Sequence, residues 1–172
     1  MKSTTQLVVS MTINGTMHTA SVDPWTTLVE LLRYRLGQGF KSVKQWCGEG
    51  ECGSCTVLLD GKLVNSCLYP AARADGKSIR TVDGMTSGSE LHPLQEAFIE
   101  FGAVQCGFCT CGMLMTAQSL LEANTDPTVE DIRRAISGNL CRCTGYKQVE
   151  AAIQSAAMAL REAPLRRTAH IP

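Results

Sequence analysis

Apolar and polar positions alternate with a period of two through Leu7, Val9, Met11 and Ile13 and again over 17–22, with Asn14-Gly15 between the runs. That period puts every second side chain on one face of a strand, and Asn-Gly supplies the left-handed pair of a type I′ turn, so the pattern predicts a β-hairpin. Asp23-Pro24 stops it. Thr27 and Glu30 then have capping-box spacing, and Leu28, Leu31, Leu32 and Leu36 share one side of a helix that Gly37 and Gly39 end. Residues 56–65 alternate around Asp60-Gly61 and predict a second hairpin, with a last strand over 79–82.

From residue 83 the period changes. Turn-forming residues fill most of 83–91, and beyond them apolar positions recur every three or four residues. His92-Pro93 opens a helix ending near Phe101-Gly102, and 110–123, rich in Met and Leu, predicts a second. Thr128 and Asp131 start a third, with Val129, Ile132, Ala135 and Ile136 on one face, and 149–160 is a fourth. Four short helices with short links argue for an antiparallel four-helix bundle. The chain therefore reads as α+β: a strand-rich domain over 1–82, a helical domain over 83–162, and a tail over 163–172. The tail has no periodicity and is expected to lie along a partner or to be loosely ordered.

Composition narrows the function classes. The 16 basic and 16 acidic side chains cancel and are scattered, which disfavours nucleic acid. Four Phe, three Tyr and two Trp give no platform for stacking bases. No run of about 18 apolar residues predicts a membrane span, and the first residues carry no apolar leader, so the expected setting is the reducing cytoplasm. His18, His92 and His170 stand apart from other ligand types and read as surface or capping residues.

The nine cysteines change the picture. Cys47, Cys52 and Cys55 follow the C-x4-C-x2-C order of a plant-type [2Fe–2S] loop, with Cys67 as the distant fourth thiol. Gly48, Gly50 and Gly53 suit a backbone wrapped round a compact anionic cluster, where positive φ and inward N–H groups are needed. Cys106, Cys109, Cys141 and Cys143 make a second set of four. Disulfides and tetrahedral zinc are the competing uses of such thiols, but two complete sets in one small chain fit two iron–sulfur centres best. Two hairpins, one helix and a cysteine loop match the β-grasp arrangement of plant-type ferredoxins. Met113 and Met115 read as core residues rather than soft ligands, because the thiolate count is already complete.

Four segments together carry a specific resemblance: Cys47-Gly-Glu-Gly-Glu-Cys-Gly-Ser-Cys-Thr-Val, Leu91-His-Pro-Leu-Gln-Glu-Ala-Phe, Gln105-Cys-Gly-Phe-Cys and Gly138-Asn-Leu-Cys-Arg-Cys-Thr-Gly-Tyr146. Over about residues 5 to 160 the chain resembles the small iron–sulfur subunit of the molybdenum hydroxylases, the xanthine oxidase family. The resemblance implies two [2Fe–2S] clusters, one nearer a flavin and one nearer a molybdopterin-type cofactor. It also implies a large molybdopterin-binding partner subunit and a medium FAD-binding one. Gln105 maps to the family's pterin-touching glutamine and Cys143 to the cluster ligand at the pterin edge. The competing role for Gln105 is that of a helix cap. Electrons from water-derived hydroxylation of a substrate would pass through this chain, which carries no catalytic residue of its own. An N-heterocycle is the expected substrate; aldehydes, carbon monoxide and aromatic thioesters are the family alternatives, and a free ferredoxin-like carrier and a zinc-binding interaction domain are the rivals outside it. After Cys-Gly-x-Cys the family continues Thr-Pro-Gly, whereas here Thr110-Cys111-Gly112 follows, leaving Cys111 as a surplus thiol expected to pack inertly.

Overall fold

Strands β1 (Leu7–Ile13) and β2 (Thr16–Val22) pair antiparallel from Leu7 opposite Val22 to Ile13 opposite Thr16, in a computed structural model that describes residues 6–37, 39–86 and 90–168, with side chains as far as 162. Asn14 and Gly15 take φ of +49° and +84°, the left-handed pair expected at this turn. β3 (Thr56–Leu59) and β4 (Lys62–Asn65) form the second hairpin, and β5 (Ser78–Arg80) runs parallel to β1 and antiparallel to β3. The sheet order is β2-β1-β5-β3-β4.

The Thr27–Glu30 capping box forms, with the Glu30 carboxylate accepting from the Thr27 N–H at 2.8 Å. The helix it starts differs from the expected one. α1 (Leu28–Glu30) is a single turn that widens into π-helical turns over Leu31–Arg35. The chain folds back on that end: Phe40 N–H donates to the Leu32 carbonyl, and the Lys41 ammonium takes the Arg33 carbonyl. Competition from those donors is the physical reason the regular ladder stops early. Two further differences are local. Thr81 is held by Asn14 through two bonds of 2.9 Å, so the strand ends at Arg80 and Val82, expected at its end, begins a 3₁₀ turn over Val82–Gly84. Ala71–Ala74 forms a second 3₁₀ turn, after Pro70.

The second half carries α2 (Pro93–Glu100), α3 (Thr110–Ala123), α4 (Val129–Ile136) and α5 (Lys147–Thr168). α2 packs on α3 and α5, and α4 packs on α3 and α5. α5 is longer than the pattern predicts. The backbone stays helical through residues 163–168 of the expected tail; 169–172, including His170, lie outside the described residues. His92 caps α2, accepting from the Leu94 N–H at 3.2 Å through Nδ1, and His18 packs edge-on against Phe40.

β3 explains how the halves are joined. All four of its residues are buried, so it has no solvent face. Val57 and Leu59 join Val9, Met11, Ile13, Leu28, Leu31 and Ile79 in one core, while Leu58, on the opposite face, joins Leu94, Phe98, Met113, Met115, Ile132 and Ile153 in the other. The two methionines are thus core residues, as expected. At the rim, Arg80 of β5 and Glu122 of α3 make a bidentate pair of 2.6 and 2.7 Å.

Candidate metal centres

The loop before β3 turns through positive φ at Gly48, Gly50 and Gly53. Its carbonyls are pinned from the second hairpin: Asn65 Nδ2 donates to Gly50 at 2.8 Å, Thr56 Oγ1 to Gly53 at 2.7 Å and Ser66 Oγ to Cys55 at 2.6 Å. Cys52, Cys55 and Cys67 are buried and Cys47 is half-buried. The thiols meet two by two, Cys47 with Cys52 and Cys55 with Cys67. The backbone N–H groups of Glu49 and Cys52 point at the Cys47 sulfur, Glu49 from 3.4 Å, and hold its pKa down to about 6. Burial, together with the bond to Cys55, pushes Cys67 up to about 12.

The second set repeats the arrangement with different parts. Cys106 lies in the loop after α2, Cys109 at the start of α3, and Cys141 and Cys143 in the loop between α4 and α5. The Cys143 and Cys106 sulfurs are 3.6 Å apart, and Cys109 pairs with Cys141. Burial pushes the Cys141 thiol up, but the Thr144 hydroxyl and N–H and the Cys143 N–H outweigh it and bring its pKa to about 7. Cys109 is raised to about 12, by burial first and then by Cys141. The Cys141 N–H is itself held, donating to the Tyr146 hydroxyl at 2.8 Å, and Tyr146 takes the left-handed φ of +69° to reach it. All four thiols of this set line one cavity of about 220 Å³ with Trp46, Ser54, Phe108, Leu140 and Arg142.

The two cysteine loops touch. Trp46, before Cys47, packs edge-on against Phe108, between Cys106 and Cys109, with centroids 6.3 Å apart. The Leu140 N–H donates to the Cys52 carbonyl at 3.0 Å. Asn139 donates to the Gly53 carbonyl at 3.0 Å and accepts from Thr116 Oγ1 at 2.9 Å.

This donor set fits binuclear iron–sulfur groups. Four thiols gathered round one cavity, with the Cys106 and Cys143 sulfurs 3.6 Å apart, suit a group of two irons. None of the nine cysteines is in a disulfide. The cavity supplies a cradle bounded by all four thiols of the second set.

Residues 11–82 match the model of the 2Fe-2S iron-sulfur cluster binding domain, and residues 81–154 that of the [2Fe-2S] binding domain. The nicotine 6-hydroxylase small subunit of Paenarthrobacter nicotinovorans is 49% identical over 148 residues, covering 86% of this chain and 88% of that one. The chain belongs to the iron–sulfur subunits of the molybdenum hydroxylases. Within the same family, the xanthine dehydrogenase iron-sulfur-binding subunit of Escherichia coli O157:H7 is 48% identical over 145 residues, covering 83% of this chain and 89% of that one. Among solved structures, a chain of quinoline 2-oxidoreductase from Pseudomonas putida 86 superposes with a TM-score of 0.87 at 44% identity, covering 92% of this chain and 98% of that one.

Relative to these family expectations, Gln105 is exposed in the loop before Cys106, and α3 begins five residues later with Cys109 as its N-cap, so Gln105 is not a helix cap. Cys111 lies in the first turn of α3, buried, with its sulfur directed to the Phe108 carbonyl at 3.7 Å. Sequence reasoning passed over Tyr146, Asn139 and Thr116. The only signal for the first two was their place in the segment Gly138-Asn-Leu-Cys-Arg-Cys-Thr-Gly-Tyr146.

Proposed function

We propose that this chain is the electron-transfer subunit of a multi-subunit molybdenum hydroxylase whose substrate is an N-heterocycle. The observation that carries the reading is the pair of four-thiol sets, the second lining one cavity, whose loops are joined by the bond from the Leu140 N–H to the Cys52 carbonyl. Cys47, Cys52, Cys55 and Cys67 hold one [2Fe–2S] group, and Cys106, Cys109, Cys141 and Cys143 hold the other. The first is carried by a β-grasp domain over 1–82, a reading supported by the strand order, and the second by a four-helix bundle over 83–162.

When bound, these groups supply one-electron acceptance and release between a molybdenum–pterin and a flavin. The chain's own residues do the rest. The N–H groups aimed at Cys47 and Cys141 favour the thiolate forms that ligation needs. Trp46, Phe108 and Leu140 wall the second centre with apolar surface. Gln105 and Cys143 are exposed, available to a large molybdopterin-binding subunit, and the Gln105 amide offers the donor and acceptor that a pterin edge pairs with. A medium FAD-binding subunit is the second partner. Relatives named for nicotine and xanthine and a structure named for quinoline support the substrate class. No described helix is long and apolar enough to cross a membrane, and the cytoplasm is the compartment we assign.

The test is iron analysis and EPR of the native preparation. About four irons per chain and two distinct signals on reduction are expected, in a complex with two larger subunits. About two irons and one signal, or migration of the loaded chain alone, would overturn the reading.

A further inference from the structure

We infer that Asn139 is a positioning residue that fixes the electronic contact between the two thiol sets, an inference that rests on the two-centre reading above. Asn139 is 3% exposed, and both ends of its amide are in use. Thr116 of α3 fixes Oδ1 and the Gly53 carbonyl fixes Nδ2. Gly53 follows Cys52 in the chain, and Leu140 follows Asn139. The clamp on one pair of neighbours therefore sets the spacing of the other, the 3.0 Å bond from the Leu140 N–H to the Cys52 carbonyl. Leu140 in turn precedes Cys141. One hydrogen bond thus separates the backbone of a thiol in the first set from the residue beside a thiol in the second.

The surroundings leave no slack. A Cβ on Gly53 would overlap the Gly138 carbonyl, and one on Gly112 would overlap the Gly53 carbonyl, so α3, the first cysteine loop and the second are in backbone contact at this point. A buried polar network whose members are all paired is stiff, because each alternative geometry leaves an amide or carbonyl unpaired in low dielectric. With a [2Fe–2S] group held by each set, exchange between them would move one electron, one group oxidised and the other reduced, with no bond or proton changed. Separation and bridge then govern its rate, and Asn139 holds both.

The test uses the purified holo-complex carrying Asn139→Ala, with Thr116→Ser, which keeps the hydroxyl, as the conservative control. Iron content, the potentials of the two EPR signals, the spin–spin splitting with both centres reduced, and hydrogen exchange of the peptide spanning 138–142 are read together. In Asn139→Ala the iron and both potentials are kept, the splitting narrows, and the Leu140 amide exchanges about tenfold faster. Thr116→Ser matches the parent in all four. An unchanged splitting overturns the inference, as does unchanged exchange at Leu140. Where Asn139→Ala does not assemble, Thr116→Val removes one arm of the clamp, and the splitting and exchange are read in the same way. A parent complex with one signal defeats the two-centre reading itself, an outcome separate from the failure of the clamp.

Discussion

Cys111 and Cys109 are two residues apart, yet their sulfurs have different surroundings: Cys109 meets Cys141, while Cys111 turns back to the Phe108 carbonyl. Cys111→Ala should therefore keep the iron content and both reduced-state EPR signals, whereas Cys109→Ala should lose one signal. Loss of a signal in the Cys111 variant would place that thiol in the ligand set. Tyr146 sits behind the centre rather than in it. Tyr146→Phe strips the acceptor from the Cys141 N–H, at a cost of about 1–3 kcal/mol. One of the two signals should then fade first on mild heating, and equal heat resistance of both signals would argue against this role. The grouping of the thiols was open to sequence reasoning because ligand spacing is local chemistry. Asn139 was not, because its partner Gly53 is 86 residues away and nothing in either neighbourhood points to the other.

Caps and turns were legible among the elements for the same reason. The Thr27–Glu30 and Thr128–Asp131 boxes, the Asn14-Gly15 turn and the Pro93 start are each written within four residues. The widening of the first helix was not, since its cause lies in residues that return to it from the far side of a loop. His92 gives α2 a pH dependence. Burial depresses its pKa below the usual 6.5, with the Glu122 and Glu96 charges partly opposing, so the folded state binds the proton less readily than the unfolded chain does. The stabilisation is complete above about pH 6.5 and is lost as the pH falls toward the folded value, because a protonated ring cannot accept from the Leu94 N–H. His92→Asn, which caps without titrating, should flatten the fall in Tm between about pH 7 and 5. Parallel Tm curves for the two proteins would show that His92 plays no part.

For the whole molecule, the alternation within β3 matters most. Val57 and Leu59 on one face and Leu58 on the other make a single strand a member of both cores, so neither half has a complete interior alone. Leu58→Ala should cost about 2–5 kcal/mol, read as a lower Tm of the complex, because Leu58 lies in the strand-rich half but its buried side chain belongs to the helical core. A change within about 0.5 kcal/mol would mean that the halves only abut. The exposed Arg80–Glu122 pair across the same seam is worth at most about 1 kcal/mol. The change of period at residue 83 suggested two units, and the residues group in two cores. Their shared strand was not legible, because an all-apolar run looks the same whether it closes one core or two.

The two thiol sets are also unequally sheltered, and this bears on manufacture and repair. In the first set Cys52, Cys55 and Cys67 are buried and Cys47 half-buried, while in the second Cys109 is buried, Cys141 half-buried, and Cys106 and Cys143 reach the surface. Cys55 and Cys67 belong to the strand-rich core, so a scaffold that delivers iron and sulfide is expected to reach the first set before that core closes, and to reach the second in the finished chain. Chelator added to the chain separated from its partners should strip the Cys106–Cys143 centre first and leave the other, and the stripped centre should be refillable without unfolding. On that outcome, one centre would be set when the core closes and the other would stay exchangeable until a partner seals it.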